Sequence, residues 1–128
     1  MKGLDTPVLL AILHDSPPAK ELLKGLRGEE LATTEINIFE LGVLAAAAPR
    51  RLRGGREATL SRLRRRLTVL AIGPESVREA ARCAKGNSRA DYQSLVWGTL
   101  AGAGCDEWIT TRAFAPAKGV VPFKLRLI

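Results

Sequence analysis

Three acidic residues stand out for where they fall along the chain: Asp5, Glu40 and Asp91. Asp5 follows the short opening MKGL and precedes Thr6, Pro7 and an apolar run, so it closes a first strand. In open α/β sheets, loops and helix N-termini converge at the C-terminal ends of the strands, and ligand sites collect there. Glu40 lies among Ile36, Ile38, Phe39, Leu41, Val43 and Leu44. A carboxylate in such a stretch is either partly buried and paired or aimed into a cleft, because burying it unpaired is costly. Asp91 opens the apolar segment DYQSLVWGTLAGAG, where the helix dipole alone would favour an acid. Taken together, carboxylates without Cys or His companions suit a hard, oxygen-seeking cation such as Mg²⁺ or Mn²⁺. Such a cation can polarise a phosphodiester and generate hydroxide from water.

Other chemistries find little support. His14, the single histidine, precedes DSPP near a helix end and reads as a surface or capping residue. Cys83 and Cys105 lie in apolar surroundings with no CxxC and no His/Cys cluster, which argues against zinc and for reduced thiols. GTLAGAG lacks the Lys-Ser/Thr ending of a phosphate loop and sits late in a helix, so it reads as close helix packing.

Charge suits either a polyanionic partner or a merely soluble basic protein. Twenty Lys and Arg against 13 Asp and Glu leave a net +7, and nucleic acid is the commonest partner of such a balance. Eight arginines crowd between residues 50 and 66: Arg50, Arg51, Arg53, Arg56, Arg62, Arg64, Arg65 and Arg66. They form either a solvated helix face or a set of phosphate contacts, for which guanidinium offers planar paired donors. Tyr92, Trp97, Trp108 and the three phenylalanines read as structural, which leaves little for the reading of unstacked bases.

The elements that must position these residues alternate. With 128 residues and 46% apolar content, the chain reads as a single domain spanning 1–128. Strands are expected over 1–5, 30–33, 68–72 (buried), EWITT at 107–111 and GVVPF at 119–123. Helices are expected over 6–14, after Ser16-Pro17-Pro18, from Thr34 or Asn37 to Pro49, after Gly54-Gly55, over 75–84 and from Asp91 to Gly102. That alternation is the mark of an α/β domain with a mainly parallel sheet of about five strands. No stretch approaches a membrane span or a cleavable leader, so a soluble cytoplasmic protein is expected.

Four blocks in order resemble the PIN domain family. They are GLDTPVLL; Thr34-x-x-Asn37-x-x-Glu40-Leu41; Asp91 with Gln93, Ser94, Leu95 and Val96; and GCDEWITTRAF followed by GVVPF. The resemblance spans essentially the whole chain. It implies a three-layer α/β/α fold and metal-dependent cleavage of RNA. At this length it implies a toxin of the VapC type, with an antitoxin partner and possible pairing as a homodimer. By the same resemblance, Asp5, Glu40 and Asp91 would hold Mg²⁺ or Mn²⁺, while Thr6, Asn37 and Thr111 would orient those carboxylates. On the phosphate-contact reading of the arginine run, Arg50, Arg51, Arg53, Arg62, Arg64, Arg65 and Arg66 would hold RNA phosphates. One departure matters. Where the last block carries an acid or Asn after Thr, this chain has Thr110-Thr111-Arg112-Ala113, which implies a positive charge beside the metal. Asp106 could substitute for that acid, but it precedes the strand and reads as a turn residue. A catalytically weak module that binds RNA or protein is therefore the rival reading. A phosphoacceptor receiver-like domain is a more distant one, disfavoured for want of an acidic pair at the first strand.

Overall fold

The computed structural model describes residues 1–47, 55–86 and 91–128. Its element order is β1 (Lys2–Leu4), α1 (Thr6–Leu13), α2 (Pro17–Gly25), β2 (Leu31–Thr34), α3 (Glu35–Ala47), α4 (Gly55–Arg66), β3 (Thr68–Leu70), α5 (Pro74–Gly86), α6 (Tyr92–Gly102), β4 (Glu107–Thr110) and β5 (Lys124–Leu127). The five strands form one sheet in the order β3-β2-β1-β4-β5, and every neighbouring pair is parallel. The α/β expectation holds. All strand C-termini therefore meet one edge of the sheet, where Asp5, Thr34 and Thr110 end or follow β1, β2 and β4.

Local chemistry fixes the element ends. Asp5 caps α1, and Ser16 caps α2 by accepting from the Ala19 N–H at 3.4 Å. At the head of α3, Thr34 N–H donates to Asn37 Oδ1, and Asn37 N–H donates back to Thr34 Oγ1, each at 3.3 Å. This reciprocal pair satisfies two amides that a helix start would otherwise leave bare. His14 caps the end of α1 and is exposed.

Two apolar clusters hold the helices to the sheet. Leu4, Val8, Leu9, Leu41, Leu63 and Ile109 form one, and Ala32, Val96, Trp97, Leu100, Trp108 and Phe123 form the other. Cys83 and Cys105 are free thiols buried in the second, and burial pushes the Cys105 thiol up to about 11, so neither is a ready nucleophile. Gly98 lets α6 lie directly on α5, because a Cβ there would collide with the backbone of Ser76 and Ala80. That contact sets where α6 begins, and hence where Asp91 and Tyr92 sit.

Two strands differ from expectation. β3 covers only Thr68–Leu70 and is partly exposed, because it is an edge strand with a neighbour on one side only. The last strand is Lys124–Leu127, whereas GVVPF at 119–123 forms bends. Gly119, at φ 85°, turns the chain there, and Val120 and Phe123 drop into the core. Burial rather than strand pairing explains why those residues are apolar. Among the described residues, no helix is long and apolar enough to cross a membrane.

Candidate metal centre

Asp5 is the pivot of the site. It follows β1 directly, its amide donates to the Ile109 carbonyl of β4 at 3.0 Å, and it is 3% exposed. Oδ1 accepts from the Thr6 amide at 2.8 Å and from Asn37 Nδ2 at 3.2 Å, while Oδ2 accepts from Thr110 Oγ1 at 2.5 Å. Asn37 Nδ2 also donates to Thr6 Oγ1 at 3.0 Å, and Thr6 Oγ1 in turn donates to Glu40 Oε1 at 3.0 Å. A continuous chain of hydrogen bonds thus ties the head of α3 to both acids.

Burial is the largest influence on Asp5 and raises its pKa above the ordinary aspartate value. The bonds from Thr110, Thr6 and Asn37 oppose that rise, and the like charge of Glu40 adds to it. The protein therefore holds a carboxylate where its charge is disfavoured, and it orients that charge with three donors. Such an arrangement is what a bound cation would relieve.

Asp91 caps α6, accepting from the Ser94 amide at 3.2 Å and the Ser94 hydroxyl at 3.4 Å. Its neighbour Tyr92 joins it to the other two acids, because the Tyr92 hydroxyl donates to Glu40 Oε2 at 3.3 Å. The Tyr92 phenol is pushed up first by the charge of Glu40, then by burial and the hydrogen bond to Glu40, with smaller contributions from Asp5 and Asp91. All three acids thus face one end of the sheet. Among the described residues, however, no three His, Cys, Asp or Glu lie close enough together to hold a metal ion between them. The oxygen-only donor set still fits a hard cation, since Mg²⁺ commonly takes one or two carboxylates and keeps several waters.

Cavities open here. One, of about 460 Å³, is lined by Asp5, Thr6, Glu40 and Tyr92 with an apolar wall that includes Leu10, Phe39, Val43, Leu44 and Phe114. Another, smaller, of about 300 Å³, adjoins Asp91 and shares Tyr92, Gln93 and Phe114.

Thr6 and Asn37 both hydrogen-bond to the acidic pair of Asp5 and Glu40. Thr111 does not: it precedes the short 3₁₀ turn Arg112–Phe114 without a capping bond from its side chain, and the hydroxyl on Asp5 belongs to Thr110. The reason lies in register. Leu4 pairs with Ile109, so the residue beside Asp5 is Thr110. Knowing that β4 is the parallel neighbour of β1 would have found it. Arg112 is exposed and lines neither of these two cavities. Asp106 lies before β4, at the opposite end of the sheet, paired with Lys2 at 3.3 Å and with the chain's first amino group at 3.6 Å. It cannot stand in for a missing ligand.

The arginine cluster divides. Arg50, Arg51 and Arg53 lie outside the described residues, as does the side chain of Arg56. Arg64 makes a two-pronged pair with Glu35, both bonds at 2.8 Å, which lowers the Glu35 pKa. Arg62, Arg65 and Arg66 are exposed along α4. Phe39, Tyr92 and Phe114, read from sequence as structural, are 71%, 57% and 56% exposed, which overturns that reading for these three.

The fold recurs among known structures. A member of the VapBC family of toxin–antitoxin systems, VapBC-5 from Mycobacterium tuberculosis, is 25% identical with a TM-score of 0.67, covering 99% of this chain and 98% of its own. VapBC2 from Rickettsia felis, bound to a DNA fragment from its promoter, is 12% identical with a TM-score of 0.74, covering 99% and 98%. DNA-bound VapBC from Salmonella typhimurium is 19% identical with a TM-score of 0.71, covering 98% and 96%. No curated protein sequence matches the chain. The family model of the PIN domain matches residues 3–96, a span that holds Asp5, Glu40 and Asp91 and stops before β4. On that match and this geometry, the chain belongs to the PIN domain family.

Proposed function

We propose that the protein is a metal-dependent endoribonuclease of the VapC toxin type, acting in the cytoplasm, with Asp5, Glu40 and Asp91 holding Mg²⁺ or Mn²⁺. The observation that carries this is the buried Asp5 carboxylate, oriented by three donors and coupled through Thr6 to Glu40. When bound, the cation supplies electrostatic stabilisation of the phosphodiester and acidifies a water molecule. The chain's own residues do the positioning. Asn37 and Thr110 fix the Asp5 rotamer, and Thr6 and Tyr92 each donate to one oxygen of Glu40 and so orient its carboxylate. Arg65 and Arg66 supply positive charge for flanking phosphates, whereas Arg64 is committed to Glu35.

An antitoxin partner belongs to the same reading. The solved relatives named VapBC are toxin–antitoxin systems. The larger cavity offers a suitable surface, because Phe39, Val43 and Leu44 stand exposed on its apolar wall. Self-association as a dimer would use similar apolar surface.

The test is cleavage of single-stranded RNA with and without Mg²⁺, using Asp5→Asn as the control. Products that need Mg²⁺ and vanish in Asp5→Asn support the nuclease. A second reading, a module that binds RNA or protein without cutting, is favoured by the open acid set and by Thr110-Thr111-Arg112 in place of an acid. RNA retained without products would establish that reading instead.

A further inference from the structure

One guanidinium of the basic helix α4 is already occupied. Arg64 meets Glu35 through two parallel bonds of 2.8 Å, Nη1 to Oε1 and Nη2 to Oε2. That fork is the geometry in which arginine also takes a phosphate. The two side chains are 48% and 42% exposed, so an RNA backbone has access to the pair. Each partner stands on backbone that other contacts fix. Leu63, next to Arg64, is buried in the core with Leu60 packed against the same cluster, while Glu35 follows Thr34, which exchanges bonds with Asn37. Apolar packing thus already seats α4, and an exposed ion pair adds little to stability. The bond from Arg64 holds the Glu35 carboxyl below its ordinary pKa, so the carboxylate stays charged at neutral pH.

We infer that Glu35 limits RNA affinity: its carboxylate occupies the Arg64 fork in place of a backbone phosphate and so withholds one phosphate contact from the α4 face. The inference rests on the ribonuclease reading and deepens it by naming a residue that sets how tightly RNA is held. Arg64 adjoins the exposed Arg65 and Arg66, so a strand held by those two lies beside the fork. The carboxylate wins there because it belongs to the same chain, and its effective concentration exceeds that of an incoming phosphate. Glu35 also begins α3, the helix whose Asn37 and Glu40 belong to the acid network. The withheld contact therefore lies at the head of the element that organises the acids. A weaker grip there favours release of cleaved strands.

The test measures binding of a short fluorescent oligouridine to the full chain by anisotropy, in chelator so that nothing is cleaved, from about 50 to about 500 mM salt. Glu35→Gln keeps the side chain's shape and removes its charge. It should bind the RNA more tightly than wild type, with a log–log salt slope steeper by about 0.7, the value of one added single-strand phosphate contact. Over that tenfold range of salt, its advantage should shrink about fivefold. Loss of a negative charge could strengthen binding without involving Arg64, so the same change is repeated in Arg64→Gln. There it should leave the slope unaltered. Weaker binding by Glu35→Gln, an unchanged slope, or an equal steepening in the Arg64→Gln background overturns the inference. If wild type still binds the oligouridine and cuts RNA with Mg²⁺ beside such a result, the inference alone fails. If wild type neither binds nor cuts, the nuclease reading fails with it.

Discussion

Replacing Asp5 by Asn should make the metal-free protein more stable while removing its response to Mg²⁺. Asp5 is 3% exposed, and burial together with Glu40 raises its pKa despite three hydrogen bonds. The neutral form is thus the one the folded site prefers. In Asp5→Asn the amide oxygen can keep the bonds from the Thr6 amide and Asn37 Nδ2, and the amide nitrogen can donate to Thr110 Oγ1. Asn caps a helix as well as Asp does, so α1 loses nothing. Relief of this kind at functional sites is worth about 0.5–2 kcal/mol. For a chain of this size that corresponds to roughly 2–8 °C in Tm.

The sign with pH follows from the raised pKa. Wild-type Asp5 contributes its full stability below the unfolded-state value and loses it as pH climbs through the raised folded value. The advantage of Asp5→Asn over wild type should therefore be small in acid, grow as pH climbs through the raised value and level off above it. Calorimetric melts in chelator across about pH 4–8 measure that difference directly. Added Mg²⁺ at about 100 times its Kd should raise wild type by about 2.7 kcal/mol and leave Asp5→Asn unmoved. A variant that melts below wild type at neutral pH in chelator would refute the claim that the Asp5 charge is held against its preference.

Three further outcomes follow from the same contacts. Thr110→Val removes the hydroxyl from Asp5 Oδ2 and should cost about 1.5–3 kcal/mol in urea denaturation at neutral pH, with much less lost in an Asp5→Asn background. Replacing Arg65 and Arg66 by Gln should flatten the log–log salt dependence of RNA binding by about 0.7 per residue, whereas Arg64→Gln should leave the slope in place because Glu35 already engages it. Arg112→Asp should change calorimetric Mg²⁺ affinity by less than about twofold, since an exposed charge outside both cavities is screened by solvent; a large gain would place Arg112 in the site after all.

What the sequence discloses of this protein is mostly what neighbouring residues decide. Asp5, Ser16, Thr34 with Asn37, and Asp91 are helix starts, set by capping chemistry within three residues, and each appears where local pattern puts it. Glu40 stands out because its neighbours are apolar. Thr110 escapes notice because its role depends on β4 lying beside β1, a pairing between residues more than 100 positions apart. The partner of Arg64 is hidden for the same reason: Glu35 belongs to another helix. Apolarity also misleads in both directions. Val120 and Phe123 are buried without being a strand, and Tyr92 and Phe114 are exposed where aromatic residues suggest core.

The double duty of Asp5 and Asp91 bears on how such a protein can change over generations. Each acid is also the cap of its helix, answering a backbone amide with the oxygen that could face a cation. Substitution by Asn, one base away in the codon, abolishes the charge and keeps the cap. Substitution by Ala forfeits both. On the nuclease reading, descendants that lose cleavage should therefore drift first to Asn at these two positions, arriving at inert chains that still fold and still present the same surfaces. Silencing the chemistry and preserving the scaffold are, in this architecture, the same mutational step.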